Sequence, residues 1–183
     1  MDHSRYRTSA RLLHWLMALL IVLTIPAGLI MVQSDIGRSV QNVLFIYHKN
    51  VGVLLLVLVL IRLWVRWRNP PPPRSAGLPG WQERVAVATH RLLYVLLVFL
   101  PVAGYVRVRA GGFPIESLDA LGVPALVPLS DTLAERAKAV HRWAGLVLIP
   151  LVLLHVGAAL YHGVVRRDGI LSRMWPPLGG PRQ

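Results

Sequence analysis

The stretch from His141 to Val165, HRWAGLVLIPLVLLHVGAALYHGVV, decides the fold. From Trp143 onward it holds 23 residues without an Asp, Glu, Lys or Arg. About 20 apolar residues at ~1.5 Å each cross a ~30 Å hydrocarbon core as a helix, which bonds its own backbone where water cannot. Three more runs share this character. Leu12 to Val32 is 21 residues without a charge; Val43 to Ile61 is broken only by Lys49, and Val85 to Val106 only by Arg91. Four such spans use up most of 183 residues. The expected fold class is all-α, an integral membrane four-helix bundle of up-down-up-down topology, with residues 1–183 as one transmembrane domain. The helices are predicted at about 9–33, 40–67, 81–107 and 132–165.

Local signals set the expected ends of these spans. Thr8 or Ser9 is read as the cap of the first helix, with Pro26 and Gly28 placed to bend it. The prolines from Pro70 to Pro73 stop the second. Pro101 and Gly104 bend the far end of the third. Thr132 and Glu135 form a T-x-x-E pattern that predicts a capping box for the fourth. The segment from Ala110 to Ser130 reads as irregular and lies over the outer surface. Trp15, Trp64, Trp67, Trp81 and Trp143 fall near span ends, where aromatic belts form.

The formal net charge is +12, which in a soluble domain points to nucleic acid. Here the basic residues flank apolar runs, so the charge reads as a topology signal and no nucleic-acid partner is expected. Thirteen of the twenty basic residues, among them Arg5, Arg62, Arg74, Arg84, Arg166 and Arg182, fall on one side, and five of the eight acids fall on the other. Both termini are therefore placed in the cytoplasm. The N-terminus has basic residues before an apolar run, like a signal peptide, but the run is long and no A-x-A site follows; it reads as a retained span. There is no cysteine, which excludes disulfides, iron–sulfur clusters and covalently attached haem.

Chemistry enters with the histidines. His14, His48, His90, His141 and His155 lie in or near the spans, with His162 at the inner end of the fourth and His3 in the N-terminal tail, expected in solvent. An ionisable group in a bilayer is costly. One alone could be a neutral imidazole bonded to a backbone carbonyl; five in a small bundle point to cofactor ligation. His141 and His155 are 14 residues apart, ~21 Å and close to four full turns, so they share a face at opposite depths. Alternating helix direction pairs His14 with His155 at the inner level and His48 with His141 at the outer. Each pair can hold one iron from two sides, the bis-histidine arrangement of two electron-carrying b haems. Ala18, Gly52, Gly145 and Ala159 stand four residues after these histidines and leave room for a flat ligand.

Other residues carry open alternatives. His90 is a second candidate for the inner iron, or bonds a propionate, water or quinone. His162 is a proton donor to a quinone or an interfacial histidine. Lys49, Arg91 and Arg142 each follow a histidine and suit haem propionates, or else snorkel to headgroups. Arg84, His90 and His162 mark a candidate quinone site by position, and no catalytic residue is assigned.

The segments ARLLHWLMALL, FIYHKNVGVLLLVLVLIRLWVR, THRLLYVLLVFLPVAGY and AVHRWAG…LLHVGAALYH, in that order, resemble the prokaryotic cytochrome b561 family of small di-haem membrane proteins over nearly the whole chain. The resemblance implies two haem b groups ligated by His14, His48, His141 and His155. It implies a multi-pass protein of the bacterial inner membrane that exchanges electrons with quinone. One branch of that family oxidises superoxide at the outer surface and passes electrons to ubiquinone. Other relatives are the cytochrome b subunits that anchor hydrogenases and dehydrogenases, so the donor is either superoxide or a redox partner protein. For superoxide, the outer cations Arg38, Lys49, Arg107, Arg109, Arg136, Lys138 and Arg142 are the candidates for steering, set against five acids on the same side.

Overall fold

The computed structural model describes residues 5–70, 72 and 79–175. Four long helices carry the four apolar runs: α1 (Thr8–Ile30), α2 (Arg38–Arg68), α3 (Gly80–Ala110) and, after a short α4 (Glu116–Ala120), α5 (Asp131–Leu160). A π-helical turn, Tyr161–Arg166, continues α5, and a 3-10 turn, Leu171–Arg173, follows it. No strand occurs among the described residues. All four long helices have the length and apolarity to cross a membrane. His3, Pro71, Pro73, Arg74 and Arg182 lie outside the described residues, so most of the expected Pro/Gly-rich connection between α2 and α3 does too.

The helices pack in sequence order, α1 on α2, α2 on α3 and α3 on α5. At the inner side Tyr6 N–H donates to the Arg173 carbonyl at 3.2 Å, so the start of α1 and the tail after α5 lie together. The arginine excess predicts that this side is the inner one. The buried centre is small: Met17, Leu55, Leu58 and Val59, with Leu13, Leu20, Tyr94 and Leu97 against it. Large apolar side chains instead cover the outside, as at Leu19, Val22, Val95 and Leu153. In water such a surface would be an aggregation hazard; here it faces lipid chains. Trp64, Trp67, Trp81 and Trp143 are also exposed near the span ends.

Two expected caps are corrected. Thr8 lies inside α1, where its Oγ1 accepts from Arg11 at 3.1 Å; Arg7 holds the cap position without a side-chain bond. The capping box at Thr132 and Glu135 does not form. Ser130 caps α5, its Oγ accepting from Leu133 N–H at 3.3 Å, while Glu135 pairs with Lys138 at 3.0 Å. Capping depends on which residue leaves the helix first, and Ser130 is held extended by its N–H bond to the Ala110 carbonyl.

The outer connection is more ordered than its prolines and glycines suggest. Ile115 is buried and α4 follows it. Lys49 Nζ donates to Glu116 Oε1 at 2.8 Å and to the Pro114 carbonyl at 2.7 Å. Asn50 donates to Glu116 Oε2 at 2.7 Å and accepts from Ser117 N–H at 2.8 Å. Arg109 pairs with Asp119, whose other oxygen accepts from Ile115 N–H. Burial opposes the Glu116 charge, but the bonds from Lys49 and Asn50 prevail and hold its pKa below the usual carboxylate value.

Candidate haem sites

Antiparallel helices bring the histidines together at two levels. At the outer level the rings of His48 on α2 and His141 on α5 have centroids 6.0 Å apart. At the inner level His14 on α1 and His155 on α5 repeat the same 6.0 Å. A metal ~2 Å from each facing nitrogen, plus the half-width of two imidazoles, needs roughly 6 Å between centroids. Both expected pairs thus have a separation that suits one metal between them.

The outer pair is aimed by its surroundings. His48 Nδ1 lies 3.2 Å from the Thr24 carbonyl, and His141 Nδ1 lies 2.9 Å from the Leu100 carbonyl. A carbonyl only accepts, so Nδ1 carries the proton in each ring and Nε2 is left with its lone pair. Such a bond is what a metal-ligating histidine requires of its second nitrogen. The backbone-bonded histidine and the ligand are therefore one arrangement, not rivals. Glycine makes the approach possible: a Cβ at Gly28 would meet His48, and one at Gly104 would meet His141. By contrast, nothing lies within 4 Å of where a Cβ would stand at Gly52 and Gly145, one turn beyond the two rings. That open space beside each ring fits a flat macrocycle.

Cations gather at both levels. Arg62 acts electrostatically on His14, His155 and His90. Its Nη1 donates to the Ala10 carbonyl at 2.6 Å and its Nε to Tyr94 Oη at 3.1 Å. Arg107 acts in the same way on His48 and His141. From sequence, Arg62 marks topology and Arg107 suits surface steering; neither is expected beside the histidines. A signal existed for Arg62. It follows His48 by 14 residues, the spacing of His141 and His155, and so shares the His48 face at the other depth.

The remaining candidates separate. His90 joins the inner group, its ring 5.1 Å from His155. Lys49 is bonded into the outer connection through Glu116. Arg142 is exposed beside His141. Arg84 and Arg91 line one depression on α3 with Glu83, and neither His90 nor His162 lines it. His162, on the π-turn, pairs through Nδ1 with Asp168. Arg167 makes that pairing possible by taking a left-handed backbone, φ 51°, a conformation that costs a non-glycine residue ~1–2 kcal/mol.

Four apolar helices holding two imidazole pairs at two depths place the chain in the class of haem-binding membrane electron carriers. Within that class it belongs to the prokaryotic cytochrome b561 family, whose profile matches residues 5–177. It is 30% identical over 170 residues to cytochrome b561 homolog 2 of Escherichia coli K12, covering 93% of this chain and 90% of the relative. Cytochrome b561 homolog 1 of the same organism is 28% identical, covering 94% and 98%. A probable superoxide oxidase, CybB of Yersinia pestis, is 28% identical over 97% of this chain and 99% of its own length. The expected family and fold are thus borne out. The chain is a multi-pass bacterial membrane protein that binds haem b and transfers electrons.

Proposed function

We propose that this chain oxidises superoxide at the outer face of the bacterial inner membrane and delivers the electrons to ubiquinone, with both termini cytoplasmic. His48 and His141 ligate an outer haem b; His14 and His155 ligate an inner one. The observation that carries this reading is the repeated 6.0 Å imidazole separation at two levels. Two haems, when bound, supply two one-electron stations that divide the membrane into short tunnelling steps. The residues do the rest. The Thr24 and Leu100 carbonyls fix the outer imidazoles, and Arg62 and Arg107 place positive charge beside the inner and outer pairs. Overall, two superoxide anions become two dioxygen molecules, and two electrons with two protons convert the quinone to quinol.

Superoxide as donor is supported by the near full-length likeness to a probable superoxide oxidase. The outer field is selective in position. Lys49, Arg109 and Lys138 are matched by Glu116, Asp119 and Glu135. Steering therefore falls to Arg38, Arg107, Arg136 and Arg142, outside those three ion pairs. Propionate neutralisation falls to Arg62 and Arg107, with Arg91 and Arg142 as further candidates and Lys49 held by Glu116.

A second reading has one observation in its favour. The outer connection exposes Phe113, Leu121, Leu126 and Leu129, the last three more than 75% accessible, as a subunit that docks a dehydrogenase would. One experiment decides between them. The chain purified alone, given enzymatically generated superoxide and ubiquinone, is expected to form ubiquinol. A chain inert to superoxide but reduced by a co-purifying partner overturns the oxidase in favour of the conduit.

A further inference from the structure

The tail that follows α5 folds back on the inner face of the bundle. Arg5 Nη2 donates to the Trp175 carbonyl at 2.7 Å, and Trp15 Nε1 donates to the Met174 carbonyl at 2.9 Å. Trp15 and Trp175 stack edge to face with centroids 5.0 Å apart. Trp15 in turn lies beside His14, centroid to centroid 5.5 Å. Within this clasp Gly163 is packed so closely on Leu171 that a Cβ would collide with it. Gly163, which follows His162 in the chain, lines a depression with Arg167, Leu171 and Trp175.

His162 faces inward into this turn. The reversal at Arg167 brings Asp168 back on it, and Asp168 Oδ2 meets His162 Nδ1. The other carboxylate oxygen, Oδ1, accepts from Ile170 N–H at 3.3 Å. Arg166 Nε stands 3.6 Å from Oδ2 and is the other charge on this carboxylate. Burial opposes ionisation of Asp168, but the bond from His162 outweighs it and keeps the group below the usual carboxylate range. A carboxylate only accepts, so the ring nitrogen facing it carries hydrogen. This pair resembles neither of the two described above: its imidazole has an acid behind it and no second histidine in front.

We infer that Asp168 is a positioning residue that holds His162 in its Nδ1–H form, leaving Nε2 as the atom that passes protons to a quinone at the inner face. The inference rests on quinone reduction at that face, as proposed above. The balance is simple. Each two-electron reduction consumes two protons. From its resting Nδ1–H form His162 takes a proton at Nε2 from inner-side water, gives that proton to a quinone oxygen, and returns to the Nδ1–H form on Asp168. The electrons come from superoxide through the inner level. The carboxylate orients the base without itself exchanging the proton.

Asp168→Asn tests this, because one amide oxygen cannot serve both His162 and Ile170. Two readouts are needed on the full chain. The first is nitrogen NMR of histidine-labelled, chemically reduced protein. Wild-type His162 is expected protonated at Nδ1 only, and the Asn variant is expected to shift to the Nε2–H form. The second is stopped-flow. Reduction of the haems by superoxide is expected unchanged, while their reoxidation by ubiquinone slows ~10-fold or more, and Asp168→Glu restores it. An unchanged tautomer, or unchanged reoxidation in the Asn variant, overturns the role of Asp168. Wild-type haems that ubiquinone does not reoxidise at all overturn the quinone reading itself, and the inference with it.

Discussion

Gly28 lies directly against the imidazole of His48: a Cβ built on it would stand 2.7 Å from Cε1. Such contacts essentially do not occur, and the ring has nowhere to go without losing its bond to Thr24. Gly28→Ala is therefore expected to displace His48 and reduce outer haem occupancy, leaving the inner site filled. Gly104→Ala, where the contact to His141 is 3.2 Å, should act more weakly. Haem-to-protein ratio and the reduced α-band measure both. Two haems per chain with an unaltered band in Gly28→Ala would show that the ring tolerates the methyl.

Removing a ligand should separate the two levels outright. His48→Ala or His141→Ala is expected to lose one haem and keep the other. Loss of both haems, in a chain whose helical circular dichroism is unchanged, would count against two independent sites.

His90 is the discriminating case at the inner level. Three imidazoles stand at this level, and a haem held there would take two of them. His14 stands from His155 at the distance the outer pair uses, whereas His90 is nearer, at 5.1 Å. His90→Ala is expected to retain both haems, and His14→Ala to lose the inner one. The reverse pattern reassigns the ligand.

The spans and both pairings were legible because they follow from two periodicities. Charge-free runs mark depth, and 14 residues mark four turns, so His141 and His155 declare two levels from α5 alone. What escaped depends on geometry that no spacing encodes. Ser130 displaces Thr132 as the cap because the Ala110 carbonyl, 20 residues away, holds it extended. Lys49 is drawn to Glu116 by the fold of the outer connection, whose prolines and glycines read only as an irregular segment. Asp168 reaches His162 only through a π-turn and a left-handed arginine, neither of which has a local signature.

Arg62 should tune the inner level. An oxidised haem carries one more positive charge than a reduced one, so a neighbouring guanidinium favours the reduced form. Arg62→Gln is expected to lower the midpoint potential of the inner haem and leave the outer haem nearly unmoved, read by redox titration. A larger fall at the outer haem would mean that the charge belongs to the other level.

Glu116 gives the outer connection a pH dependence. Its folded pKa is depressed, so its contribution is present above the unfolded value of about 4.5 and is lost as pH falls through the lower folded one. Glu116→Gln should mimic acid: faster amide exchange at Ser117 and easier proteolysis between residues 111 and 130, with both haems kept. Equal exchange in variant and wild type at neutral pH would leave Lys49 and Asn50 without a role in holding that segment.

α5 follows the other three long helices in the chain, and it supplies one member of each imidazole pair. A nascent chain halted before Asp131 already has three helices in the membrane, yet His14 and His48 lack the partners that α5 brings. On the proposed ligand pairs, pigmentation waits for α5 to be made. Colour in a cell's membranes would then report only those copies in which α5 has joined the bundle.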